Sequence, residues 1–195
     1  CVCLTLCSCG SNESAKKPSA ASSDTAAKDS SPATTAAAGS RDNTPVVLTG
    51  SADGTVTYGN DSVTVDASHT QEGYLMVSYS GSNSKVKLQI TGSDEITYTY
   101  NLHDGYETFP LTSGSGSYTV GVFENIEGTS YSTLFTQAID VTIQDEFGPY
   151  LYANQYVNFS ADSKVISKAM ELSASANDDL EVIENVYNYI ITNFT

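Results

Sequence analysis

The sequence predicts a mainly β fold, an antiparallel β-sandwich followed by two amphipathic helices, and three observations predict it. From Pro45 to about Asp145 short runs rich in Val, Ile, Thr and Tyr alternate apolar with polar residues, and Gly, Asn, Asp and Ser separate them roughly every ten residues. No segment of helical period interrupts these runs. Beyond Asp145 the period changes, and two stretches with apolar residues three and four places apart close the chain.

In chain order the strand candidates are PVVLTG (45–50), GTVTYG (54–59), DSVTVDAS (61–68), GYLMVSYSG (73–81), SKVKLQITG (84–92), EITYTYNL (95–102), YETFPLT (106–112), SYTVGVFEN (117–125) and TLFTQAIDVTIQ (133–144). In KVKLQI, Val86, Leu88 and Ile90 share one face while Lys85, Lys87 and Gln89 share the other, so one face alone is expected to be buried. By the same alternation Ile96, Tyr98 and Tyr100 lie together, and Val120 and Val122 point inward. About nine strands in a span of about a hundred residues fit an immunoglobulin-like antiparallel β-sandwich over 45–145. The Cys and Trp of antibody domains are absent, so the likeness is architectural.

The chain ahead of the strands is of a different kind. Residues 10–44 are rich in Ser, Ala and Thr and nearly free of large hydrophobic side chains, a composition predicted to form a disordered tether because it cannot offset the entropy of ordering. A flexible linker of that length reaches on the order of 30 Å. All four cysteines lie in the first nine residues, CVCLTLCSC. Two readings fit them: a soft-metal site made of two C-x-C pairs, or the end of a signal-peptide core. The intervening Val2, Leu4, Thr5 and Leu6 favour the second. LCSC followed by GSNES resembles a bacterial lipobox, with Leu6 three places before Cys9 and a small polar run after it. That resemblance implies that Cys9 receives the lipid, that residues 1–9 are the remnant of a lipoprotein signal peptide, and that the protein is extracytoplasmic, anchored to the membrane at the cell surface. No initiator Met or basic n-region precedes Cys1, so the chain is read as cut at its front.

A formal net charge of -15 repels phosphate backbones, and nucleic acid is excluded as a partner on that ground. The strand region supplies few groups with chemistry. His69 and His103 stand in apparent loops, and His103 beside Asp104 has the residue types of a metal ligand or general base, but a lone loop His reads first as a solvated surface residue. SADGT and EFG place carboxylates in turns without the alternating oxygens of a calcium loop, so no metal site is expected. Tyr74, Tyr79, Tyr98, Tyr100 and Tyr118 are either a sugar-stacking platform or the margin of a core. The ligand of such a sandwich is left unknown, and no cofactor is expected.

Residues 146–160 form a dense aromatic connector with Phe147, Tyr150, Tyr152, Tyr156 and Phe159, too apolar for a free linker. A helix follows with Val165, Ile166, Ala169, Met170 and Leu172 on one face and Ser160 or Asp162 available as cap. In the second helix Asp178 and Glu181 have capping-box spacing, and Leu180, Ile183, Val186, Tyr187, Ile190 and Phe194 make the apolar stripe. The run FGPYLYANQYVNFSADSKVISKAMELSASANDDLEVIENVYNYIITNFT resembles the opening of the transglutaminase-like superfamily domain of bacterial surface proteins, in its PYLYANQYV connector and in a second helix that reads I..VY.YI..N. What the resemblance implies is a papain-like α+β domain, of which 161–195 are the first helices. It also implies a Cys, His and Asp triad acting on amide bonds of proteins or peptides, as transamidase or cysteine peptidase. In the family the triad follows the second helix, so no catalytic residue is assigned within this chain, which is read as cut at its back as well. The rival class is a non-enzymatic adhesion or carbohydrate-binding lipoprotein that uses the sandwich.

Overall fold

A computed structural model of the protein describes residues 38–194. The expectations for Cys9 and for 10–37 lie outside the described residues. The fold is mainly β, two four-stranded antiparallel sheets with two helices at the C-terminal end. The strands are β1 (Thr57–Gly59), β2 (Val63–Asp66), β3 (Tyr74–Tyr79), β4 (Val86–Thr91), β5 (Thr97–Leu102), β6 (Gly105–Pro110), β7 (Gly116–Glu127) and β8 (Ser130–Val141). The helices are α1 (Lys164–Ser173) and α2 (Asp179–Asn193).

One sheet has the order β1-β2-β3-β6 and the other β5-β4-β7-β8, so the chain crosses between sheets after β3, after β5 and again after β6. The alternation read from the sequence sets which side chains meet between the layers. Val86, Leu88 and Ile90 of β4, and Val120 and Val122 of β7, are buried, and they join Val65, Leu75, Val77 and Phe109 of the facing sheet in one core. Lys87 and Gln89 point away and pair across the strand with Asn101 and Thr99 of β5. Tyr118 is buried near the start of β7, and its hydroxyl donates to the Gly114 carbonyl at 2.8 Å.

Among the described residues eight strands form, one fewer than the runs suggest. PVVLTG is not a strand; Leu48 makes only an isolated parallel bridge with Tyr152, and Val46 stays exposed. A run of strand-like residues becomes a strand only where a neighbour supplies a ladder, and none flanks this one. Ile96 is also exposed: it sits just outside β5, after the Gly92–Glu95 turn in which Glu95 takes φ 62°, at the rim of the sandwich.

Two segments outside the sheets also pack in place. Residues 39–43, within the stretch of tether-like composition, lie along the turn between α1 and α2. The Gly39 amide donates to Ala174, Ser40 donates to Asn177, and Arg41 pairs with Asp179 at 2.7 Å. The connector, in turn, folds back on the sandwich. Gly73, at φ +88°, lies so near Pro149 that a Cβ there would sit 2.5 Å from the proline ring, so only glycine allows the contact.

Candidate functional site

The tyrosines sort by register. Tyr74, Tyr79, Tyr100 and Tyr118 are buried, so they serve the core and its margin, and of the five only Tyr98 keeps an open face. Burial pushes the Tyr100 hydroxyl up to about 12, so it stays neutral throughout the ordinary pH range.

His69 departs from the expectation of a solvated loop residue. It precedes a 3-10 turn, Thr70–Glu72, and its side chain is only 18% exposed. The ring stacks on Tyr74 with centroids 5.2 Å apart. Nδ1 lies 3.0 Å from Glu72 Oε1 and Nε2 lies 3.0 Å from Asp53 Oδ2, with Ser51 Oγ 3.1 Å from the same nitrogen. Ser51, His69 and Glu72 thus have the outline of a hydrolytic triad, but Nε2, which a triad aims at the serine alone, is shared with Asp53. The hydrogen bond to Glu72, against the pull of burial and with help from Asp53, raises the imidazole above its ordinary 6.5. A carboxylate at each nitrogen favours the protonated ring, and Nε2 is shared between Ser51 and Asp53. The cluster acts as a clasp. Tyr152 of the connector donates to Glu72 Oε2 at 2.5 Å, and its ring packs on Tyr74 at 4.4 Å. That hydrogen bond, with the one from His69, holds Glu72 below the usual carboxylate range.

The other titratable candidates are structural. His103 is exposed and pairs with Glu107 at 3.1 Å, not with Asp104. In SADGT, Asp53 belongs to the His69 clasp, and the Gly54 amide donates to the buried Asp66 at 2.6 Å. In EFG the preceding Asp145 accepts the Phe147 amide in a turn. Among the described residues no group of His, Cys, Asp and Glu is arranged to hold a metal ion.

A surface with room for a ligand lies where the connector crosses the open side of the sandwich, beside a second cleft of about 600 Å³ that Ser115, Ile143, Asp145 and Glu146 help to line. β5 is an edge strand, and the connector covers its free carbonyls: Gln155 Nε2 donates to Asn101 O at 2.6 Å and the Tyr156 hydroxyl to Thr99 O at 3.2 Å. That cover stops the edge from adding a foreign strand. Between connector and sheets a cleft of about 610 Å³ remains, lined by Tyr98 and Tyr100 of β5 and by Tyr150 and Tyr156 of the connector. Pro110 and Thr112 come from the end of β6 and the turn beyond it, and Asn154 and Val157 from the connector. Asn154 Oδ1 accepts the amides of Tyr156 and Val157, which fixes the turn that presents Tyr156. The connector's aromatic density was visible in the sequence, but its pairing with Tyr98, some fifty residues earlier, was not.

The helices offer another open surface. Asp178 Oδ1 accepts the Glu181 amide as the capping spacing predicts, while Glu181 reaches back to Asn177. The cap position of α1 is Ser163, one residue past Asp162, and its hydroxyl accepts from the Ser160 amide outside the helix. The two helices meet at the buried Ser173 and Ala176, and Asn185 donates to Leu172 O. The predicted apolar stripe of α2 is largely uncovered, with Leu180 72% and Ile183 63% exposed beside open Tyr187, Ile190 and Phe194. Among the described residues no helix is long and apolar enough to cross a membrane.

Comparison with protein-family models, with curated proteins and with solved structures finds no match to the chain.

Proposed function

We propose that the chain belongs to a surface lipoprotein anchored through Cys9, in which an immunoglobulin-like sandwich precedes a transglutaminase-like domain opened by α1 and α2. The observation that carries the proposal is the uncovered apolar stripe of α2, on residues Leu180, Ile183, Tyr187 and Ile190. A capped, amphipathic helix with that face in water forgoes roughly 25 cal/mol for each Å² it would bury against a partner. The helix sequence is the one that resembles the family, so the partner is the remainder of that domain. Support for the immunoglobulin-like assignment comes from the strand order and from Tyr118, whose bond back to Gly114 has the form of a tyrosine corner.

In this reading the sandwich positions and the following domain reacts. All four cysteines fall within the first nine residues, so the nucleophile lies outside the sandwich and the two helices. A cysteine thiolate at a helix N-terminus attacks a substrate amide carbonyl and the amine leaves with a proton from the His. The thioester then passes to an acceptor amine or to water. The substrates are proteins or peptides at or outside the cell surface.

Expression of the chain with its native continuation tests the proposal. Thiol-dependent incorporation of a fluorescent primary amine into casein, together with slowed amide exchange across α1 and α2, is the expected result. A continuation without a Cys, His and Asp in that order, or helices whose exchange it leaves unchanged, would overturn it.

A further inference from the structure

We infer that the cleft between β5 and the connector binds a neutral glycan, whose sugar rings stack on Tyr98, Tyr150 and Tyr156. At about 610 Å³ the cleft has the size of a small-ligand site. Four of its nine lining residues are tyrosines, and three of the rings are open to solvent, Tyr98 at 43%, Tyr150 at 65% and Tyr156 at 70%. Such faces in water carry a cost that a ligand with an apolar side would relieve.

The lining selects the class of ligand. In a chain of net charge -15, every residue of this cleft is uncharged. It holds no cation for a phosphate or a carboxylate and no anion for an ammonium group, which the acidic surface elsewhere would attract better. An added peptide strand is also disfavoured, because Gln155 and Tyr156 already occupy the carbonyls of Asn101 and Thr99 along the β5 edge. A wholly apolar ligand would leave the hydroxyls of Tyr98, Tyr150 and Thr112 facing hydrocarbon, and none of these makes a hydrogen bond within the described residues. A pyranose ring matches both demands, since its C–H face packs on an aromatic ring while its hydroxyls meet polar handles at the ring edges.

The platform is preorganised. Tyr156 is held by its hydroxyl on Thr99 O, by its amide on Asn154, and by ring packing on Tyr100 at 5.4 Å, so little side-chain freedom is lost when a sugar stacks on it. The cleft is complete within residues 98–157, so glycan binding stands or falls independently of any catalytic domain.

Native affinity electrophoresis of the full chain tests the inference, with gels containing a β-glucan, a mannan, a xylan or the anionic polygalacturonate. Retardation is expected in at least one neutral gel and not with polygalacturonate. Tyr150→Ala and Tyr156→Ala are each expected to weaken binding about tenfold, or ~1.4 kcal/mol. Tyr106→Ala, an exposed tyrosine away from the cleft, leaves it unchanged. Tyr150 is largely solvent-exposed, so its removal spares the fold, which a melting curve checks. Absence of retardation in all three neutral gels, retardation by polygalacturonate alone, or undiminished binding by the Tyr150→Ala/Tyr156→Ala double variant would each overturn the inference.

Discussion

His69 titrates between two carboxylates, and the direction of its effect on stability follows from that. Its pKa in the folded protein lies above the ordinary 6.5, so the folded state binds the proton more tightly than the unfolded chain does. The stabilisation is fully present below about 6.5 and is lost as pH rises through the folded value. Asp53 and Glu72 are about half exposed, so solvent screening limits the effect to about 1 kcal/mol or less. Asp66, burial notwithstanding, is held low by Ser68 and Gly54 and stays ionised throughout this window. Melting temperatures of the wild type should therefore fall as pH rises above about 6.5, while His69→Gln gives a flatter profile; equal slopes would show that the clasp contributes nothing. Tyr118 offers a second test. Tyr118→Phe keeps the ring in the core and leaves the Gly114 carbonyl without its donor, an expected loss of about 1–2 kcal/mol in denaturant unfolding. A loss under a few tenths would mean that water satisfies that carbonyl equally well.

Among whole elements, burial and not propensity decides which parts hold firm. The strands share one core, whereas α1 and α2 lean on each other, on residues 39–43 and on little else. Helices of 10 and 15 residues are near the length at which isolated helices are marginal in water. Amide exchange should be fast across both helices while β3, β4 and β7 stay protected, as sparse packing predicts. Asp178→Ala removes the acceptor of the Glu181 amide and is expected to cost α2 about 1 kcal/mol, read as faster exchange in its first turn. Protection in α2 equal to that in β4 would show that the apolar stripe needs no cover.

For the molecule as a whole, the decisive questions are where it is held and what it repels. Replacement Cys9→Ser in a complete precursor is expected to move the protein from the membrane fraction to the medium, or to leave it as uncleaved precursor. Persistent membrane retention would count against a lipid anchor, since the apolar run before Cys9 is too short to span a bilayer. The net charge of -15 also predicts that the chain passes through immobilised DNA even at low salt, where electrostatic attraction is strongest. Retention on the column would reveal a basic surface that composition alone does not suggest.

The sequence by itself determined the class of fold, which strand faces turn inward, and the N-terminus of α2. These are local properties: a period of two puts Val86, Leu88 and Ile90 on one side whatever they meet, and Asp178 needs only the amide three residues on. Tertiary structure decided the rest. PVVLTG has strand composition but no ladder partner, and His69 left the solvent only because Asp53, Glu72 and Tyr74 converge on it. Tyr98 stayed open while Tyr100, two residues on, was buried against Phe109, because the rim of a sandwich passes between them. The cleft depends on a connector some fifty residues beyond β5 folding back across its edge. Contacts of that separation have no period in the chain, since they arise from which surfaces remain to be covered once the sheets have formed.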